Sequence, residues 1–269
     1  LLALPFVLSA ITVGILTVKL FGKSLGLSRP LCGLVAVGTS ICGVTAIVAT
    51  APIIKANESE VSYAIACITV FGIAAMFLYP FIAHFLFPTK PILAGLFLGT
   101  SIHETAQVAG AGLMYQTQYN APEAFDMATI TKLVRNLCMI AVIPIVGILY
   151  SKESSSIDGK TKLSSMVPWF IVGFVGMSAI RTVGEIGERP FGILEPQQWE
   201  NSVGLLRQSA EHCLLVAMSA IGATSAFSSI KEIGFKPFLL GLFAASVVGG
   251  ASLLLIVLFG DLLLHRILG

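Results

Sequence analysis

Two short stretches hold the side chains best able to do chemistry. Gly99-Thr100-Ser101-Ile102-His103-Glu104-Thr105-Ala106-Gln107 sets an imidazole, a carboxylate and a carboxamide inside an apolar, Gly-rich run. Lys132 and Arg135 lie three apart on one helical face inside another apolar run. An ionisable group within a membrane costs about 2.5–3.5 kcal/mol on insertion scales, so it usually faces a cavity or a partner. His103 and Glu104 are suited to proton exchange or to a coupling cation, and Lys132 and Arg135 to attracting an anion. On a continuous helix His103 and Gln107 share a face, with Glu104 turned about 100° away. Plainer readings compete: a structural pair of Glu104 with Lys132 or Arg135, or cations that snorkel to the interface. The stretch is not a zinc motif, since H-E-x-x-H needs a second His where Gln107 stands.

The opening of this stretch has a counterpart. Gly38-Thr39-Ser40-Ile41 matches Gly99-Thr100-Ser101-Ile102 at an offset of 61, and Pro30 matches Pro91 at the same offset. Each copy is a Gly/Ser/Thr-broken segment followed by an unbroken span, giving repeat units 30–87 and 91–150. Paired broken segments are the best sequence pointer to a transporter site. A broken membrane helix frees backbone amides at a new N-terminus, which carries about half a positive charge and attracts anions. The expectation is that Gly38, Thr39, Ser40, Gly99, Thr100 and Ser101 supply such N-terminal ends, with Cys42 beside them. The alternative is close packing, with Gly95-x-x-x-Gly99 as a helix-contact motif and the hydroxyls bonded back to their own helices.

The elements that position these residues follow from composition. Of 269 residues, 56% are apolar and 11% charged, against about 25% charged in a soluble domain. Apolar runs are long enough to cross a hydrocarbon core of about 30 Å, and without strict alternation they are helices rather than barrel strands. The fold class is therefore all-α: a polytopic membrane protein, read as one domain over 1–269. Unbroken spans are expected at 1–21, 61–87, 127–150, 166–183, 203–230 and 237–264, with broken segments at 31–54 and 91–115. Polar links are expected at 116–125, 151–165, 184–202 and 231–236. Arg207 and Glu211 are spaced to pair, His212 reads as structural, and Arg181, Glu185, Glu188 and Arg189 form a solvated rim. The five cysteines sit in apolar runs without a C-x-x-C pair, which suits buried free thiols.

A net charge of +2 with no basic stripe excludes a nucleic-acid partner. If every segment crosses, Lys19, Lys23, Arg29, Lys90, Lys152, Lys160, Lys162, Lys231 and Lys236 share one side, which the positive-inside rule makes cytoplasmic. If both broken segments are re-entrant, only Lys55 and Lys90 change sides. The first arrangement makes the repeats parallel and the second inverted. Charge alone does not choose.

The motifs Gly38-Thr-Ser-Ile-Cys-Gly43 with Pro52 and Lys55-Ala56, Ser101-Ile-His-Glu-Thr-Ala-Gln-Val108, and Ala128-Thr-Ile-Thr-Lys-Leu-Val-Arg135 resemble those of a bacterial family of proposed sulfate exporters, conserved uncharacterised multi-pass membrane proteins. The resemblance runs through the last span. It implies a multi-pass inner-membrane protein that exports sulfate or a related small anion. The family usually has Asp where this chain has Glu104. Its members carry further membrane segments ahead of Leu1, so the sequence reads as trimmed at that end.

Together these features lead to an expected secondary transporter of a small anion in the bilayer, coupled to H+ or Na+, with no cofactor, and a homo-oligomer as a further possibility. The alternatives are a cation-coupled organic-acid symporter, an intramembrane enzyme using His103 and Glu104 as acid and base, and a non-transporting scaffold. No nucleophile motif supports the enzyme.

Overall fold

A computed structural model describes residues 3–153, 169–186, 189–224 and 235–268. All regular structure among them is helical. The chain forms two compact units, one of residues 1–161 with 225–269, the other of residues 162–224.

The first unit holds α1 (Leu4–Ser24), α2 (Arg29–Ser40), α3 (Val44–Thr50), α4 (Glu58–Leu86), α5 (Pro91–Ser101), α6 (Thr105–Tyr119), α7 (Pro122–Leu137), α8 (Met139–Glu153) and α11 (Phe235–Leu268). Among the described residues, four stretches are long and apolar enough to cross a membrane: α1, α4, residues 122–146 across α7 and α8, and α11. The second unit holds α9 (Trp169–Gly184), a 3-10 turn at Pro190–Gly192 and α10 (Pro196–Thr224). There Arg181 pairs with Glu185 at 2.8 Å on an exposed face. Glu188, Lys160, Lys162, Lys231 and most of the 151–165 and 231–236 links lie outside the described residues. The expected link at 116–125 is largely helical, because α6 runs on to Tyr119 and Pro122 starts α7. Pro suits a first helical turn, where its missing N–H has no role.

Both broken segments are re-entrant hairpins. The first begins at Ser28, whose hydroxyl accepts the Leu31 N–H and caps α2. The same hydroxyl donates to Glu60 in the first turn of α4. The chain therefore enters and leaves at one end. Asn57 and Glu60 close a capping box there, with Asn57 Oδ1 accepting the Glu60 N–H at 2.8 Å and Glu60 Oε2 accepting the Asn57 N–H at 3.1 Å. The second hairpin begins at Pro91 and ends at Tyr119, whose ring stacks 3.6 Å from that of His84 near the end of α4. Since α4 runs from one hairpin's open end to the other's, the hairpins enter from opposite ends, and the repeats are inverted. Lys55 thereby joins Lys19, Lys23 and Arg29 on one side. Lys90 lies on the other and pairs with Asp261 at 2.6 Å.

Helix α7 organises the second hairpin. It runs alongside α5 in the same direction: a Cβ at Gly95 would strike the Ala124 carbonyl, and one at Gly99 would lie 2.7 Å from the Ala128 carbonyl. The Gly95-x-x-x-Gly99 motif thus brings the two backbones together. Helix α6 returns antiparallel to α7, with Gly112 against Phe125 and Thr105 bonded to Asn136. Buried Leu93, Leu96, Phe97, Leu98 and Tyr115 fill the space between α4, α6, α7 and α11.

Candidate functional site

The tips of the two hairpins meet in the middle of the first unit. The breaks fall at residues 41–43 and 102–104, again 61 apart. In the first, Gly43 has φ +70°, a conformation that favours glycine. In the second, Ile102 and Glu104 are extended. Each break strands backbone carbonyls at the end of its first half-helix.

Lys132 and Arg135 satisfy those carbonyls. Lys132 Nζ donates to Ile41 O at 3.1 Å, to Ile102 O at 3.0 Å and to His103 O. Arg135 donates through Nε to Ser40 O at 2.9 Å, through Nη2 to Thr39 O at 2.6 Å, and through Nη1 to Thr100 O at 2.7 Å. Each cation bridges both hairpins. Their spacing on α7, already tied to α5 through Gly95 and Gly99, puts them at the tips. Lys132 is 1% exposed and Arg135 0%.

The polarity of the breaks corrects the sequence expectation. Gly38–Ser40 and Gly99–Ser101 are the C-terminal ends of α2 and α5. They present carbonyls, the negative end of the dipole, and not anion-binding amides. The breaks come after the small residues rather than before them. Gly38 and Gly99 remain helical and serve packing, Gly38 against Ile47 and Ile68. Thr39 and Thr100 bond back to Val35 O and Leu96 O, both at 2.8 Å. Lys132 and Arg135 spend their donors on backbone rather than facing an open anion site, and neither snorkels.

Glu104 is 7% exposed, and its Oε2 accepts the Val44 N–H at 3.0 Å. This carboxylate of the second hairpin thus sits at the start of α3 in the first. It pairs directly with neither Lys132 nor Arg135, although Lys132 is close enough to act on it electrostatically. His103 lies in the break, so it shares no helix face with Gln107. Its ring is buried beside Arg135, Lys132 and the Thr39 backbone, with Nδ1 unpartnered. Gln107 Nε2 donates to Thr69 O at 3.3 Å, crossing to α4 where Gly72 leaves room for it. Ser40 and Ser101 keep buried hydroxyls without partners. Cys42 Sγ packs 4.0 Å from Met139 Sδ.

Sequence reasoning missed Gly43 and Val44. The offset of 61 pairs Gly43 with Glu104 and Val44 with Thr105, and that pairing was the available signal. A Cβ at Gly43 would collide with Glu104 Oε2. Among the described residues, no three His, Cys, Asp or Glu side chains gather as metal ligands.

The UPF0324 inner membrane protein YeiH of Salmonella typhi is 33% identical over 237 residues, covering 86% of this chain and 62% of its own length. The UPF0324 membrane protein OB3406 of Oceanobacillus iheyensis is 32% identical over 253 residues, 93% of this chain and 69% of its own length. The UPF0324 membrane protein Bd1437 of Bdellovibrio bacteriovorus is 33% identical over 235 residues, 87% of this chain and 66% of its own. The chain thus spans about three fifths of the length of YeiH. No solved structure matches. The family described as conserved hypothetical protein 698 matches residues 2–241. With its apolar helices and these relatives, the chain is a multi-pass inner-membrane protein and belongs to that conserved, uncharacterised family.

Proposed function

We propose that the protein is a secondary transporter of a small anion, bound where the two hairpin tips meet. The observation that carries this reading is the charge of the buried centre. Lys132, Arg135 and Glu104 are buried there, and counted formally, with His103 neutral, they leave an excess of one positive charge. The two C-terminal and two N-terminal half-helix ends contribute opposite partial charges that cancel. Six backbone carbonyls solvate the two cations without removing the net formal charge, which is costly inside a helical bundle and which an anionic substrate would balance. The unpartnered Ser40 and Ser101 hydroxyls supply donors for such a substrate. Paired interrupted helices in inverted repeats are a recurring frame for alternating access.

A sulfonate or monocarboxylate balances this charge, whereas sulfate and fully ionised sulfite carry one negative charge more, so the panel includes both classes. A thermal-shift panel of these anions on the full-length protein tests the reading. A ligand that binds only the folded state raises the melting temperature through linkage. Stabilisation by one anion at low concentration, lost in Lys132→Met, is the expected result. The absence of stabilisation by any anion would remove the carrier.

A further inference from the structure

Secondary transport of an anion can be coupled to Na+ or to H+. We propose that the coupling ion is a proton and that Glu104 carries it; this rests on the carrier reading above.

In interrupted membrane helices, Na+ is held by the carbonyls that the break frees. Here six of the carbonyls at the breaks already have cations. Ile41, Ile102 and His103 receive the Lys132 ammonium, and Thr39, Ser40 and Thr100 the Arg135 guanidinium. Two protein cations occupy the place of the metal ion. Glu104 is different. Its carboxylate is buried, bears no direct ion pair, and accepts a backbone N–H from the opposite hairpin. The charged and titratable groups around it are Lys132 from α7 and Cys42 from the first break, with Arg135 and His103 beyond. Helix α4 presents Ile68 at Gly43, beside the carboxylate.

A proton taken up by one Glu104 oxygen changes two things. The formal excess in the centre rises from one positive charge to two, so the anion binds more tightly. The charge-assisted bond to Val44, stronger than a neutral one, is weakened, so the hairpins are less firmly joined. Release of the proton on the other side restores the carboxylate, the bond and the smaller excess. Proton and anion therefore bind together and move in the same direction.

The test uses full-length protein in lipid bilayers, read by infrared difference spectroscopy as the pH is lowered. Wild type should gain a carboxylic C=O band that Glu104→Gln lacks and Glu104→Asp keeps at a shifted position. A band unchanged in Glu104→Gln overturns the proposal, as does stabilisation of the protein by Na+ over K+. The anion panel supplies the second readout. Stabilisation should grow as the pH falls in wild type and Glu104→Asp, and be independent of pH in Glu104→Gln. If the infrared result is as expected but no anion stabilises at any pH, the carrier reading fails, and the coupling with it.

Discussion

Glu104 Oε2 accepts the Val44 N–H at 3.0 Å, joining two hairpins that enter the bundle from opposite ends. With Lys132 and Arg135 on the carbonyl ends, this bond completes an exchange in which side chains of one sign meet backbone ends of the other. The interruptions are held by these contacts, six carbonyls on two cations and one amide on a carboxylate.

Gly43→Ala tests the close approach. The new Cβ would meet Glu104 Oε2, and φ is +70°. Alanine where φ is positive costs more than about 1 kcal/mol. The melting temperature of the full-length protein should fall, and one equal to wild type would show that the carboxylate is not seated against Gly43.

Arg135→Ala strands the Thr39, Ser40 and Thr100 carbonyls that the guanidinium holds. Each buried acceptor left without its donor costs about 1–3 kcal/mol. The variant should fail to accumulate as folded protein in size-exclusion chromatography. Arg135→Lys should recover only part of the loss, because an ammonium lacks the planar fork that spans both tips.

The glycines of α5 separate packing from flexibility. Gly99→Ala would put a methyl 2.7 Å from the Ala128 carbonyl, whereas Gly250 in α11 has nothing within 4 Å. Overpacking costs about 1–3 kcal/mol. Thermal denaturation should show Gly99→Ala destabilised and Gly250→Ala no less stable than wild type, since alanine is the better helix former by about 1 kcal/mol.

Much of this arrangement was legible in the sequence. Composition dictates membrane helices, and the shared Gly-Thr-Ser-Ile with its upstream proline marks the two interrupted segments. The cations stand out because charge is rare in apolar runs. The direction of the breaks was not legible. Gly38 and Gly99 look like helix breakers, yet they stay helical because Ile47, Ile68, Ala128 and Thr131 pack against them. Whether a segment crosses or turns back also depends on distant partners: Ser28 with Glu60, His84 with Tyr119, and Lys132 with a carbonyl 91 positions away. Local propensity carries no record of such contacts.

The re-entrant, inverted topology is tested most directly by side-specific labelling. Single cysteines at Lys23, Lys55, Lys90 and Asn120 in a cysteine-free full-length protein would be exposed to a membrane-impermeant maleimide. The expected result is that Lys23→Cys and Lys55→Cys react from the cytoplasmic face, and Lys90→Cys and Asn120→Cys from the opposite face. Labelling of positions 23 and 55 from opposite faces would mean that the first segment crosses the membrane, and the meeting of two inverted hairpin tips would be contradicted.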